Sequence, residues 1–389
     1  MKRPWNVVVV LVALVVGGCR KADVPSPDPL RPITAAQAED IAQRFIAAAQ
    51  PCDPVKLRAL VDVEQLARRA LVVSTLSGDA KHDVLRGMRE RLDGGGGLCE
   101  GFAPETAWEL LRVREVDGHL RPVLRGRAQG GINYFELIAS PSRRDGAVRL
   151  VDYYIFLSGE RLSETLGHLV DQAGAVAGVG VEANMEQLNA AKRSGDYAEV
   201  RRRIAALPPT LRFGKAFRLM DIGAAVALDA PDLVATLDSF ARAFPGDPAS
   251  DFVMIDAYFA RKQVQALLEA IDRLDQRVGG DPFLDQLRIG ALMLEPTPAH
   301  VEAATAAARR LIAARPDQQE SWMNLASVQL TGQDYDGVVA TLDHLTTGFG
   351  MRFDREAMAG APLYQGFLAS PQFAAWWPRY SASGSDGAE

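Results

Sequence analysis

Hydrophobic and polar positions repeat with two different periods along this chain. From Asn184 to Leu345 apolar residues recur at intervals of four and three, the spacing of one helix face. The stripes are Val200, Ile204 and Leu207; Leu233, Leu237 and Phe240; Leu267, Ile271 and Leu274; Ala304, Ala308 and Leu311; and Val338, Leu342 and Leu345. The second helices that carry them are expected to open at Tyr197, Ala230, Val264, Val301 and Tyr335, which lie 33, 34, 37 and 34 positions apart. A first helix precedes each turn, with a large residue followed by small or apolar ones: Leu188 and Ala191, Met220 and Ala224, Ala291 and Leu292, Trp322 with Leu325 and Ala326. Pro208, Pro245 and Pro316 close three of the repeats, because proline cannot continue a helix.

Upstream the period changes. Helices are predicted over Thr34–Ala49 (capped by Thr34), Pro54–Leu60, Val63–Ser74 and Lys81–Leu92. Beyond Pro104 the pattern becomes that of strands. Trp108–Val116 and His119–Ala128 flank Asp117-Gly118, a favoured hairpin turn, and Ile132–Ser140 and Ala147–Leu157 follow. The last of these, Val148–Phe156, is apolar on both faces apart from Arg149 and Asp152, which predicts a central position in the sheet. A connecting helix is expected over 159–183, with Ser158-Gly159-Glu160 capping its first turn and the domain boundary near residue 182.

Five copies of a two-helix unit at a period near 34 resemble the tetratricopeptide repeat. The order of the upstream elements, helices and then a four-strand antiparallel meander, resembles the cone-shaped nuclear transport factor two-like superfamily. The expected fold is therefore an α+β cone-like domain over 34–158, then an all-α tetratricopeptide-type solenoid over 184–348. Residues 349–380 are rich in aromatic residues, among them Phe367, Phe373, Trp376 and Trp377, and are expected to form a helical cap. The alternative for these aromatics is an exposed docking patch. Residues 381–389 are expected to be a disordered tail.

The N-terminus changes the compartment. Met1-Lys2-Arg3 precedes an apolar run, Val7–Val16, that is too short to span a bilayer, which is the pattern of a secretory signal over 1–18. Gly17-Gly18-Cys19 resembles the lipobox of bacterial lipoproteins, which implies cleavage before Cys19 and its acylation. Arg20 follows where an aspartate would imply inner-membrane retention, so the periplasmic face of the outer membrane is expected. Residues 19–33, with prolines at 25, 27, 29 and 32, read as a tether. With Cys19 acylated, Cys52 and Cys99 remain, and in an exported chain they favour a disulfide worth about 4 kcal/mol. Two unpaired buried thiols are the alternative.

Composition narrows the function classes. The net charge is −6, and losing Lys2 and Arg3 with the signal takes it to −8, so no footprint for nucleic acid is present. No two of the five histidines are spaced as a local metal pair. Gly94–Gly97 lacks the strand before and the Lys-Ser or Lys-Thr after that a phosphate loop needs. Gly178-Val179-Gly180 has no leading strand and is no dinucleotide fingerprint. No nucleophile elbow occurs. Neither an enzyme nor a cofactor or metal site is expected.

In the resembled solenoid the first helices line a concave groove, which would place Met185, Asn189, Lys192, Arg193, Arg218, Ile222, Phe252, Asp256, Phe259, Met293, Met323 and Ser327 along it. Burial between helices is the alternative for any one of them. A cone would put Asp152, Tyr153 and Tyr154 at its pocket, or else simply in its core. The expected function is a lipid-anchored adaptor or assembly factor, bound to the bilayer through acylated Cys19 and to an unidentified protein or peptide of the cell envelope. A small-molecule-binding or weakly enzymatic cone is the second reading, and a structural spacer the third.

Overall fold

The structure, a computed structural model, describes residues 25–76, 78–93, 106–128, 131–175 and 179–385. The chain forms two compact units, Met1–Val253 and Met254–Glu389. The first unit contains the sheet and the first two expected repeats.

Four helices open the first unit: α1 (Ala35–Ala49), α2 (Pro54–Leu60), α3 (Val63–Val73) and α4 (Gly78–Asp93). Thr34 and Gln37 cap α1 reciprocally, each side chain accepting the other's backbone N–H, so two otherwise orphaned donors are satisfied. The buried stripe of α1 runs through Ala38, Ile41, Ala42 and Phe45. Its Phe45 meets Trp108 of the sheet edge-on at 5.4 Å.

The sheet has five antiparallel strands in sequence order: β1 (Ala107–Val116), β2 (His119–Ala128), β3 (Gly131–Pro141), β4 (Val148–Ile155) and β5 (Glu160–Arg161). Asp117 and Gly118 both take positive φ at the β1–β2 turn, as a two-residue hairpin requires. One face carries Trp108, Leu124, Phe135, Leu137, Leu150 and Tyr153 into a core shared with the helices α1 to α4 and with α5 (Leu162–Ala175). This is a filled helix-on-sheet layer. An N-terminal cone is not present, and the expected four-strand meander gains a fifth strand.

β4 is also not the central strand. It lies next to last, and its outer edge is closed by β5 at one end and by Asp62 N–H donating to Leu150 O (2.8 Å) at the other. Its two-sided apolar pattern has a local cause. The pairing slips between Ile138 and Ala139, leaving Val151 unpaired, so Leu150 and Tyr153 reach the same core although they stand three apart.

The segment expected to be a free tether is docked from Asp28 onward. Asp28 N–H donates to Gln65 (2.7 Å), Arg69 donates to Asp28 O (2.9 Å), and Arg31 N–H donates to Ser140 (3.0 Å). Ile33 is buried in the core.

Helices α6 (Val179–Ser194), α7 (Tyr197–Ala205), α8 (Pro209–Arg212), α9 (Lys215–Leu228) and α10 (Leu233–Ala243) complete this unit, and α11 (Pro248–Ala260) spans the division. Lys215 ties them to the sheet: its ammonium, about nine-tenths buried, lies 3.1 Å from Glu160 of β5 and 2.7 Å from Asp247. Gly159 sits where a Cβ would come within 2.9 Å of Ala249 N, and its φ is +65°. Both conditions call for glycine.

The second unit contains α12 (Val264–Val278), α13 (Phe283–Leu292), α14 (Pro298–Ala314), α15 (Gln319–Thr331) and α16 (Tyr335–Phe349). The hairpin turns share one device in both units. Gly195, Lys262 and Gln333 take left-handed φ, and the next residue's N–H bonds five residues back: Asp196 to Ala191, Gln263 to Tyr258, Asp334 to Gln329. Helices α7, α12 and α16 accordingly begin at Tyr197, Val264 and Tyr335. Pro231 keeps Ala230 out of a helix, so α10 starts at Leu233. Thr297 caps α14 with Pro298 at its first position, three residues ahead of Val301.

α17 (Arg355–Gly360), α18 (Gln365–Leu368) and α19 (Pro371–Ser385) end the described chain. Phe367, Phe373 and Trp376 are buried against Val338, Leu342 and Leu345, so these aromatics are core and not an exposed patch. Trp376 Nε1 donates to Asp343 at 2.6 Å. Residues 381–385, expected in a disordered tail, continue α19.

Gly167 lets α5 approach α3, since a Cβ there would lie 2.5 Å from Ala70 O. Gly167→Ala is expected to cost about 2–3 kcal/mol, as overpacking against backbone does. Gly87→Ala, in α4 with nothing within 4 Å of the added carbon, is expected to stabilise by about 0.5–1 kcal/mol. Urea unfolding of both variants measures the contrast.

Candidate functional site

A cleft of about 520 Å³ opens in the first unit between α7, α9 and α10. Its floor is apolar, with Ile204, Ile222 and Phe240 buried, while Ala205, Phe213, Ala235 and Ser239 at its rim are exposed. The linker between α7 and α9 shapes the rim. Pro208 and Pro209 start the one-turn helix α8, Leu211 anchors it in the core, and Gly214 starts α9. Arg212 and Phe213 are left at the mouth.

The charges divide along the cleft. At one end Arg201 is fully engaged: its Nε donates to Asp221 (2.8 Å), and Nη1 and Nη2 donate to the two oxygens of Asp232 (2.8 Å each). Those bonds raise the guanidinium's pKa further, the Asp232 bond most, and Arg201 in turn lowers that of Asp232. At the other end Arg212 donates Nη1 to Ala205 O and Arg218 donates Nη1 to Ser239 O and Oγ, each at 3.2 Å. Among the described residues neither pairs with a carboxylate. Their Nε atoms are shielded from water and bonded to nothing. Both guanidiniums instead stack on Phe213, at 4.6 and 5.2 Å from its ring centre, and the ring remains 52% exposed.

Of the expected groove residues, Arg218 and Ile222 line this cleft, but the cleft's walls are the second helices α7 and α10. Met185 and Phe252 are buried. Met293 and Met323 pack partly against core clusters, and Ser327 bonds back to Met323 O (2.9 Å). Asn189 and Lys192 are half-buried on α6, Asp256 is half-buried and Phe259 exposed on α11. The side chain of Arg193 lies outside the described part of the structure. The set is divided between the two compact units. Arg201, Arg212 and Phe213 had no place in it, because it was counted on first helices alone.

Asp152, Tyr153 and Tyr154 are each engaged within the fold. Asp152 is buried, accepting from Tyr153 N (2.9 Å), Ser163 N (3.1 Å) and Ser163 Oγ (2.5 Å). It thus caps α5 from the neighbouring strand, and Glu164 in the helix's first turn accepts from Arg161 N (2.7 Å). Tyr153 packs on Phe135 in the core and Tyr154 on Phe156, while burial pushes the Tyr153 phenol well above its ordinary pKa. The sheet's opposite face carries a charge cluster that the sequence reading missed. Buried Glu136 accepts from Arg114 Nε (2.7 Å) and Arg121 Nη1 (2.8 Å).

Cys52 is disulfide-bonded, while Cys99 and Cys19 lie outside the described residues. Among the described residues no group of three or more metal-ligating side chains gathers, and no helix is long and apolar enough to cross a membrane. Comparison with known protein families, with curated proteins and with solved structures returns no match.

Phe213→Ser and Arg212→Gln are expected to change stability by no more than about 0.5 kcal/mol in urea unfolding, as surface residues outside the core do. Asp152 behaves differently. Burial raises its pKa above 3.8, so its charge opposes folding once the pH rises through the folded value, and this cost vanishes below 3.8. Asp152→Ala is expected to cost about 2 kcal/mol by stranding the Ser163 donors. Asp152→Asn, which keeps an acceptor without the charge, shows a deficit that shrinks as pH rises from 3.5 to 7, read from urea unfolding at both values.

Proposed function

We infer that this chain is a lipid-anchored protein of the bacterial envelope that uses tetratricopeptide-like helical hairpins to hold a partner protein. The observation that carries this reading is the open cleft with two cationic side chains that no carboxylate neutralises, beside an exposed phenylalanine. Such a mouth contributes nothing evident to the core, and its aromatic and arginine composition is that of protein interfaces. The lipobox ending at Cys19 supports the anchor, and the left-handed turns at Gly195, Asp229 and Lys262, 34 and 33 residues apart, support the repeat resemblance. The small-molecule or enzymatic reading loses its main support, because the oxygens of Asp152 are all engaged within the fold.

A photo-crosslinking amino acid at position 213 of the full chain, expressed in a bacterial host with its envelope intact, is expected to yield a discrete protein adduct in the membrane fraction. Cys19→Ala is expected to abolish incorporation of labelled palmitate. Crosslinkers at 213 and at exposed Phe259 that both return no adduct would falsify the adaptor reading.

A further inference from the structure

We propose that the cleft between α7 and α10 is a peptide site that takes an acidic segment of the partner, seating a carboxylate at Arg212 and Arg218 and an adjacent apolar side chain against Ala205, Ala235 and Phe213. This rests on the adaptor reading and names the chemistry of its ligand. The argument is one of charge complementarity. The Arg201, Asp221 and Asp232 cluster is internally bonded and formally carries one excess negative charge. Arg212 and Arg218 carry two positive charges whose acceptors are a backbone carbonyl, a second carbonyl and a hydroxyl. The protein as a whole is acidic, at −6. The cationic end of the cleft therefore attracts a negative group although the chain as a whole is acidic.

The shape supports a chain segment over a compact anion. Asp232 and Ser239 mark the two ends on α10, seven residues apart, which is about 10 Å of helix. About three residues of extended peptide cover that length. Ala205 and Ala235, exposed above the buried floor, offer an apolar surface that a free phosphate would leave unused. Phe213 at the rim extends this surface, and its two stacked arginines are held in place without losing their charge. The segment's polarity follows: its acidic residue lies at the Ser239 end, and a neutral or basic residue lies towards Asp221 and Asp232.

Selection of a random dodecapeptide display library on the full chain, followed by fluorescence anisotropy of each enriched peptide, tests this. Enriched peptides are expected to carry an acidic residue next to an apolar one. Their affinity should fall with added salt and drop about tenfold or more when the acid is replaced by its amide or when Arg212→Gln and Arg218→Gln are combined. Urea unfolding of the double variant checks that its fold is kept, and Phe213→Ser should weaken the same peptides. Peptides without an acidic residue, affinities indifferent to the arginine substitutions, or no enrichment at all would each overturn the proposal. Displacement of the peptides by millimolar inorganic phosphate would also overturn it, in favour of a phosphate ligand. These outcomes leave the adaptor reading standing, whereas a failure of the crosslinks alone would remove the adaptor and leave the peptide measurements intact.

Discussion

Lys215 is the residue on which the first unit's geometry turns. Its ammonium is about nine-tenths buried between Glu160 at the end of the sheet and Asp247 beyond α10. Removing such a charge from water is costly, and attraction offsets that cost only while both carboxylates stay in place. Burial pushes the Glu160 carboxyl up, yet His168, 3.8 Å away, and the Lys215 charge outweigh this and leave its pKa below the ordinary value. The same proximity raises His168, against its partial burial. The Glu160 contribution is present above 4.5 and lost as pH falls through its folded value; the His168 contribution is present below 6.5 and lost as pH rises through its own. The anchor is thus tightest in mildly acidic solution. Because Lys215 is the first residue of α9, whatever fixes it also fixes Arg218, Asp221 and Ile222 one and two turns along.

The turns between helices supply the second constraint. A left-handed residue followed by an N–H bonded five residues back reverses the chain in the same way at Gly195, Lys262 and Gln333. Two of the three are not glycine, so each bears some strain. At Gln333 that cost is offset where Asp334 caps the next helix through Gly337 N, as Asp196 does through Glu199 N after Gly195. The regular period seen in the sequence is the trace of this turn. Where a proline intervenes, as at Pro231 and Pro298, the helix start moves by three residues while the packing of the hairpin persists.

Much of the secondary structure was legible because its causes are local. The Thr34–Gln37 capping box, the Asp117-Gly118 turn and the aspartates before α7 and α16 act within four residues of themselves. The elements that escaped depend on distant partners. β5 is two residues, Glu160 and Arg161, made a strand only by pairing with Ile155 and Tyr154. The α5 cap comes from Asp152, eleven residues upstream of Ser163. The bulge at Val151 made a next-to-edge strand read as a central one. The tether's docking on Gln65, Arg69 and Ser140 is invisible in a proline-rich stretch. Arg218 and Ile222 of the cleft could be found by counting along first helices, whereas Arg201 rides on a second helix and Arg212 and Phe213 on the linker that a repeat alignment passes over.

The contrast among arginines bears most directly on function. Arg201 and Arg288 are each bound by carboxylates, Arg288 by Asp272 and Asp275 of the neighbouring α12 and by Asp285 of its own helix, and their charge is spent inside the fold. Arg212 and Arg218 are held with comparable definition by carbonyl, hydroxyl and ring contacts, none of which cancels a charge. A guanidinium fixed by neutral partners loses little further rotamer entropy when an anion arrives, so more of the electrostatic gain is kept as binding. Placing the pair on Phe213, at the end of a cleft whose other end is already negative, gives the site a direction as well as a sign. A neutralised arginine holds helices together; these two remain available to a ligand.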